Sequence, residues 1–335
     1  MRKARQNVIH CYFHQSDMDG FTSGWLIKWA FENAFVKNPF KDFRVMMHRY
    51  NYGFYINENQ IEPQDMVILV DCSFPKEDME YVKNKVKGKM LWMDHHITVL
   101  DEMEGFDVPG DRGEEFAGCR HTFNWIKRNR TELGKKLGET YWDNLQRFVD
   151  CIDIYDRFDK SDSILWTEAL NMNFAFSALN TDPSTEAGLK FWNLIDEACD
   201  SSDKITEMIE DFDYDGALIY ASHKERNRQL VNAYGFEGQI SGFEHIGLGL
   251  FLNQGIGGSL IFEDSVDWDK HDYVGCFVYS GKKNLWSVSL YSEKEDVDLT
   301  PIFNYYNGGG HRGAGGMRVR EFKYVSTNKK LFFSS

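Results

Sequence analysis

Met90-Leu91-Trp92-Met93-Asp94-His95-His96 joins a short apolar run to an acid and two imidazoles. Four apolar residues without polar alternation are the pattern of a strand buried on both faces, which belongs in a parallel sheet covered by helices. Two other stretches repeat the arrangement. Val8 to Phe13 runs into His14-Gln15-Ser16-Asp17-Met18-Asp19-Gly20, and Met66 to Val70 runs into Asp71. Ligands of open α/β sheets gather beyond the carboxyl ends of the strands. The three clusters therefore predict one polar site along one edge of such a sheet.

Outward from these stretches the pattern is βαβ alternation. Arg44 to Tyr50 reads as a further strand, and Phe21 to Phe35, Lys76 to Val86 and Phe116 to Arg130 read as helices, the first with Trp25, Leu26, Trp29 and Ala30 at helical spacing. Tyr141 to Ile154 is helical and ends in an acid group, Asp150, Asp153 and Asp156, followed by Arg157-Phe158. Thr185 to Ala198 and Asp203 to Asn232 are charged helical stretches suited to a solvated connector. From Phe236 onward the character changes. Ile246 to Leu252, Tyr273 to Tyr279 and Leu285 to Leu290 alternate as strands, a helix covers Asp298 to Tyr306, and a last strand starts at Met317. The expected organisation is α/β, with a mostly parallel-sheet N-terminal domain over residues 1–184, a helical connector over 185–235 and a smaller mixed α/β domain over 236–335.

At 335 residues, with 42% hydrophobic and 15% aromatic residues, the chain has ample material for large interiors. A formal charge of -14 argues against a wide basic face for long duplex nucleic acid, which would have to neutralise many phosphates. Six scattered cysteines form no CxxC pair, so neither a zinc knuckle nor a disulfide framework is signalled. No apolar stretch is long enough for a membrane span and the start does not read as a secretory signal, so a cytoplasmic location is expected.

His14, Asp17, Asp19, Asp71, His95 and one acid of the Asp153/Asp156 pair give two imidazoles and four carboxylates. Oxygen donors mixed with a few nitrogens suit Mn²⁺, with Mg²⁺ or Co²⁺ as alternatives, better than a thiolate-loving metal. Asp71, alone at the tip of an apolar strand, is best placed to bridge two ions. Two such ions roughly 3.5 to 4 Å apart would activate water and steady the charge of an in-line phosphoryl displacement. Taken singly, each acid has a bland reading as a turn residue or helix cap. Three strand ends bearing acids together outweigh it. Asp94 either orients a neighbouring imidazole or touches metal. His10, His48, His121, His223, His245 and His271 fit no cluster, and Trp25 and Trp29 read as core rather than as a base-stacking platform.

Gly308-Gly309-Gly310-His311-Arg312-Gly313-Ala314-Gly315-Gly316 has two readings. It is either a flexible turn or a phosphate site in which glycine amides, His311 and Arg312 approach the ligand. It has neither the Walker A spacing nor a GxGxxG turn between strand and helix.

Asp17-Met18-Asp19-Gly20, Asp71, Asp94-His95-His96 and the acids near Asp153 resemble the four ordered motifs of the DHH phosphoesterase superfamily, and the Gly308 to Gly316 run with His311 resembles the signature of its DHHA1 C-terminal domain. The resemblance implies a two-domain α/β enzyme with a dinuclear manganese site, hydrolysing phosphoesters in short oligonucleotides, dinucleotides, adenosine bisphosphates or single-stranded DNA. By motif position it implies that His14 and Asp17 hold one ion, that Asp19, His95 and Asp153 (or Asp156) hold the other, and that Asp71 holds both. His96 would face the scissile phosphate, and His311, Arg312, Gly309 and Gly310 would bind substrate. Where many members carry Ser-Leu-Arg-Ser, this chain has Ser289-Leu290-Tyr291-Ser292, which lacks the guanidinium fork.

The leading expectation is a manganese-dependent phosphodiesterase acting on small nucleotides or short single strands through metal-activated water. It has no long-duplex and no membrane partner, and assembly as a homodimer is compatible with it. A phosphatase for nucleoside bisphosphates, pyrophosphate or polyphosphate is the second reading, and a catalytically reduced nucleotide-binding protein the third.

Overall fold

Strand β1 (Val8–His14) runs up the middle of a four-stranded parallel sheet, with β2 (Arg44–Tyr50) on one side and β3 (Met66–Val70) then β4 (Met90–Met93) on the other. The register is what places the site. Phe13 lies opposite Val70, and Val70 opposite Met93, so His14, Asp71 and Asp94 are the next residues along three adjacent strands. This computed structural model describes residues 6–34, 43–51, 55–129, 136–252, 262, 264–326 and 331–332. The chain divides into two compact units, Met1–Ala217 and Leu218–Ser335.

In the first unit the period-two alternation of each strand feeds two cores. Ile9, Cys11, Phe13, Ile68, Val70, Leu91 and Met93 face one way, against helices α1 (Met18–Trp29), α4 (Gly118–Asn129), α5 (Gly138–Asp156), α6 (Ser163–Ser177) and α7 (Glu186–Cys199). Tyr12, Val67, Leu69 and Trp92 face the other way, against Met79 and Val82 of α2 (Lys76–Lys85). Burial on both faces explains why β3 and β4 read as continuous apolar runs and β1 as nearly one, while the edge strand β2, half-buried, keeps Arg44, His48 and Arg49. A short helix α3 (Ile97–Glu102) follows the His95-His96 pair, and α1 widens into a π-helical turn over Ala30–Ala34. The expected helix ends at Phe35 and Arg130 lie outside the described residues.

Helix α7 departs from its expected character. Glu186, Lys190 and Glu197 are exposed, while Phe191, Trp192 and Ile195 are buried in the first core, where Trp192 stacks on Trp25 at 4.8 Å and its indole N–H donates to the Thr181 carbonyl, and Asp196 accepts the Trp29 indole N–H. It is a core element rather than a solvated strut. Helix α6 has no counterpart in the sequence-based expectation.

The long helix α8 (Ser202–Tyr234) passes into the second unit. There the described residues form a mixed eight-stranded sheet, ordered β12-β11-β5-β6-β7-β8-β10-β9. Its members are β5 (Phe236–Ile240), β6 (Gly247–Leu252), β7 (Tyr273–Ser280), β8 (Leu285–Tyr291), β9 (Gly309–His311), β10 (Ala314–Val319), β11 (Tyr324–Ser326) and β12 (Leu331–Phe332). Only β6 and β7 pair in parallel among these. Helix α9 (Thr300–Tyr305) packs Ile302 and Phe303 into the core of this unit. The glycine run is a hairpin, with Gly309 to His311 paired antiparallel to Ala314 to Gly316.

Candidate metal centre

Strand ends and helix starts bring the acids together. Asp17 caps α1, its Oδ1 accepting the Gly20 N–H at 2.9 Å, while Oδ2 lies 2.9 Å from His14 Nδ1. The cap and ligand readings therefore describe two oxygens of one carboxylate. Gly20 follows because α1 leaves β1 so tightly that a Cβ there would come within 2.1 Å of the His14 carbonyl oxygen. Asp19, one residue into the helix turn, is buried and accepts the backbone N–H groups of Gly118 and Cys119 at the amino end of α4. Gly118 is again a matter of space: a Cβ would stand 2.7 Å from that of Asp71.

Asp71 adopts φ +53°, a left-handed conformation that aspartate tolerates better than most side chains but that still costs energy. Its two oxygens divide. Oδ2 lies 3.5 Å from His14 Nδ1 and Oδ1 lies 3.3 Å from His95 Nε2. His95 Nε2 is also 3.5 Å from Asp19 and 3.4 Å from Asp156. Three ligand groups result: His14, Asp17 and Asp71; Asp19, His95 and Asp156; and Asp71, His95 and His96, each with candidate donor atoms within 4.8 Å of one another. Asp71 stands between the first two.

Asp94 is fully buried and spent on its neighbours. Oδ1 accepts the backbone N–H of His95 and of His96 and lies 2.7 Å from His96 Nδ1, while Oδ2 accepts the Trp92 indole N–H at 3.0 Å. That arrangement makes Asp94 the residue that orients His96 and fixes its tautomer, leaving Nε2 as the other ring nitrogen. Of the two acids left open at the end of α5, Asp156 joins the cluster and Asp153 does not. Asp153 accepts the Ala117 N–H at 2.7 Å and pairs with Arg157 at 2.8 Å.

Electrostatics follow from the crowding. Burial pushes the Asp19 carboxyl well above its usual range, and Asp71 and Asp156 push the same way. Burial likewise raises Asp156 to about 7, with His95 opposing and Asp71 and Asp17 reinforcing. Burial works against the Asp71 carboxylate too, yet His14 and His95 beside it hold its pKa well below the usual carboxylate range. Burial alone would lower the imidazoles, but Asp17 and Asp71 bring His14 up to about 11, and Asp71 with Asp19 brings His95 up to about 10. Protons on imidazole thus occupy the place that a cation would fill. A metal fits these residues: Asp71 Oδ1 is buried and accepts no hydrogen bond among the described residues, and the donor set is carboxylate and imidazole.

The remaining predicted residues are not among the three ligand groups. Gly309, Gly310, His311 and Arg312 are exposed on the β9 side of the second unit's hairpin, where Arg312 Nε donates to the Val297 carbonyl at 3.4 Å. Tyr291 ends β8 and pairs with Ala314. His10 lies 2.9 Å from His48 and 3.3 Å from Asp65 in a buried chain of polar groups. Trp25 and Trp29 are core residues. Sequence reasoning missed the α4 amides on Asp19, because their donors lie about a hundred residues away and carry no side-chain signature. No helix among the described residues is long and apolar enough to cross a membrane.

Comparison with known proteins bears on the first unit. Residues 8–145 match the model of the DHH family, N-terminal domain. No curated protein matches the chain. Similar solved structures include an uncharacterized protein from Helicobacter pylori G27 (16% identity, 95% of this chain and 94% of that one, TM-score 0.45). A pGpG-specific phosphodiesterase, PggH, from Vibrio cholerae is also similar (13%, 94% and 93%, 0.44). So is an exonuclease, RecJ, bound to manganese (15%, 94% and 86%, 0.47). What is shown is thus a DHH-family N-terminal domain over residues 8–145.

Proposed function

We propose that the protein is a manganese-dependent phosphodiesterase that hydrolyses dinucleotides or short single-stranded oligonucleotides. The observation that carries this reading is the convergence of His14, Asp17, Asp19, Asp71, His95 and Asp156 around the two oxygens of Asp71 at the carboxyl ends of a parallel sheet. The DHH-family domain supports it. Two bound divalent ions would supply Lewis acidity and a more acidic water. The chain's own residues do the rest. His14, Asp17 and Asp71 would hold one ion, and Asp19, His95 and Asp156, with Asp71 beside them, would hold the other. Asp94 holds His96 as a hydrogen-bonding group for the substrate phosphate. The acidic chain, at -14, favours short substrates over long polymers.

For the second unit, the proposal makes residues 236–335 a DHHA1 substrate-binding domain, joined by α8 to a catalytic domain that takes in α7 as part of its core. Gly309, Gly310, His311 and Arg312 would then contact a phosphate of the substrate. A cytoplasmic location belongs to the same proposal.

The test is a screen of divalent metals against linear and cyclic dinucleotides, nucleoside bisphosphates, pyrophosphate and short single strands, with products identified by mass spectrometry. Dinucleotide cleavage in Mn²⁺ that vanishes in Asp71→Ala, with the circular dichroism spectrum unchanged, is the expected outcome. Wild-type turnover in Asp71→Ala would refute the assignment. Phosphate release from bisphosphate or pyrophosphate alone would move it to a phosphatase.

A further inference from the structure

Two residues beyond Asp156, the chain spends an aromatic side chain in an unusual place. Helix α5 ends with the Asp159 N–H on the Ile154 carbonyl and the Phe158 N–H on the Tyr155 carbonyl, a closure in which the left-handed residue is normally glycine. Here that residue is Phe158, at φ +57° and 45% exposed. Neither backbone comfort nor burial accounts for a phenyl ring at this position. Its surroundings are aromatic. Phe158 meets Trp166 edge-on at 4.9 Å, Trp166 stacks on Tyr155 with an interplanar angle of 7°, and Tyr155 lines the same small cavity as Asp17, Asp19 and Asp156. The Lys160 ammonium stands 4.5 Å over the Phe158 ring and 5.4 Å over Trp166. A row of rings, half-buried at Tyr155, buried at Trp166 and exposed only at Phe158, thus links the carboxylate cluster to solvent and carries a cation at its outer end.

We infer that Phe158 is a specificity-determining residue, on which a nucleobase of the substrate stacks while the adjoining phosphate occupies the Asp71 cluster. This deepens the functional reading above and rests on it. The chemistry fits one occupant. A flat, apolar-faced base attached to a phosphate matches an exposed ring two residues from a carboxylate of the cluster, and stacking tolerates any base because each has a π-face. Lys160, exposed beside the ring, suits a neighbouring phosphate of the same substrate.

The bland account is that Phe158 only packs the helix end against Trp166, and the experiment separates the two. Steady-state hydrolysis of a linear dinucleotide in Mn²⁺ is measured for the wild type and for Phe158→Ala, Phe158→Leu, Phe158→Gly and Phe158→Tyr. Binding of a non-hydrolysable dinucleotide carrying 2-aminopurine is followed by its fluorescence. Loss of stacking predicts a KM about 5- to 150-fold higher in the Ala, Leu and Gly variants with little change in kcat, and rescue by Tyr. The wild type and the Tyr variant should quench the probe and the Ala variant should not. Phe158→Gly relieves the backbone, so its melting temperature should stay at or above that of the wild type while its KM still rises. Unchanged KM and unchanged quenching in Phe158→Ala, or a loss of kcat accompanied by a lowered melting temperature, would overturn the inference and leave the phosphodiesterase reading standing. A wild type that neither cleaves nor binds any dinucleotide would overturn both.

Discussion

Among individual residues, Asp71 was the most legible and Asp156 the least. An acid directly after five apolar residues can only sit at a strand tip, and the register then sets it beside His14 and the Asp94-His95-His96 step. Asp153 and Asp156 are three apart on one helix, so they share a face and spacing cannot separate them. Only tertiary partners distinguish them: the Ala117 N–H and the Arg157 guanidinium contact Asp153, and His95 faces Asp156. Asp156→Asn is expected to weaken Mn²⁺ binding by more than the about 10- to 100-fold typical of substituting an outer-shell partner. Asp153→Asn should keep the metal stoichiometry and lose about 1.5–3 kcal/mol of stability with the charged hydrogen bonds to Arg157. Titration calorimetry with Mn²⁺ and chemical denaturation of both variants check this, and the reverse pattern would return the role to Asp153. Asp94 shows the same limit, since only the three contacts on its Oδ1 reveal that it orients His96.

At the level of elements, β3 and β4 of the parallel sheet were readable because burial on both faces leaves unbroken apolar runs. Helix α6 was not, because it is apolar nearly all round: Trp166, Leu170, Met172, Phe174 and Phe176 are all buried, and no polar stripe marks a period. Strand β9 lies in a glycine run with no side-chain alternation to read. Helix α7 misled in the opposite sense, since its exposed charges hid a face that completes the first core. Its Trp192, stacked on Trp25 and hydrogen-bonded to Thr181, should behave as a core residue. Trp192→Ala is expected to destabilise the first unit by about 3–5 kcal/mol. A change below about 1 kcal/mol in urea unfolding of the full chain would mean that α7 is the solvated connector its charges suggest.

In the whole molecule, an acidic chain carries a cluster of carboxylates whose repulsion imidazolium protons or a metal would relieve. The sign of the pH dependence follows. His14 and His95, raised to about 11 and about 10, are protonated near neutrality and must give up those protons to bind a cation. Mn²⁺ affinity should therefore climb with pH across the neutral range, roughly tenfold per unit for each proton released. Calorimetry in buffers of different ionisation enthalpy counts those protons, and a count of zero would contradict the electrostatic picture. The most direct test of the central claim is anomalous scattering at the manganese edge from crystals grown with Mn²⁺. Two peaks are predicted, one among His14, Asp17 and Asp71 and the other among Asp19, His95 and Asp156, with Asp71 adjoining both. A map with no anomalous peak at these side chains would contradict it.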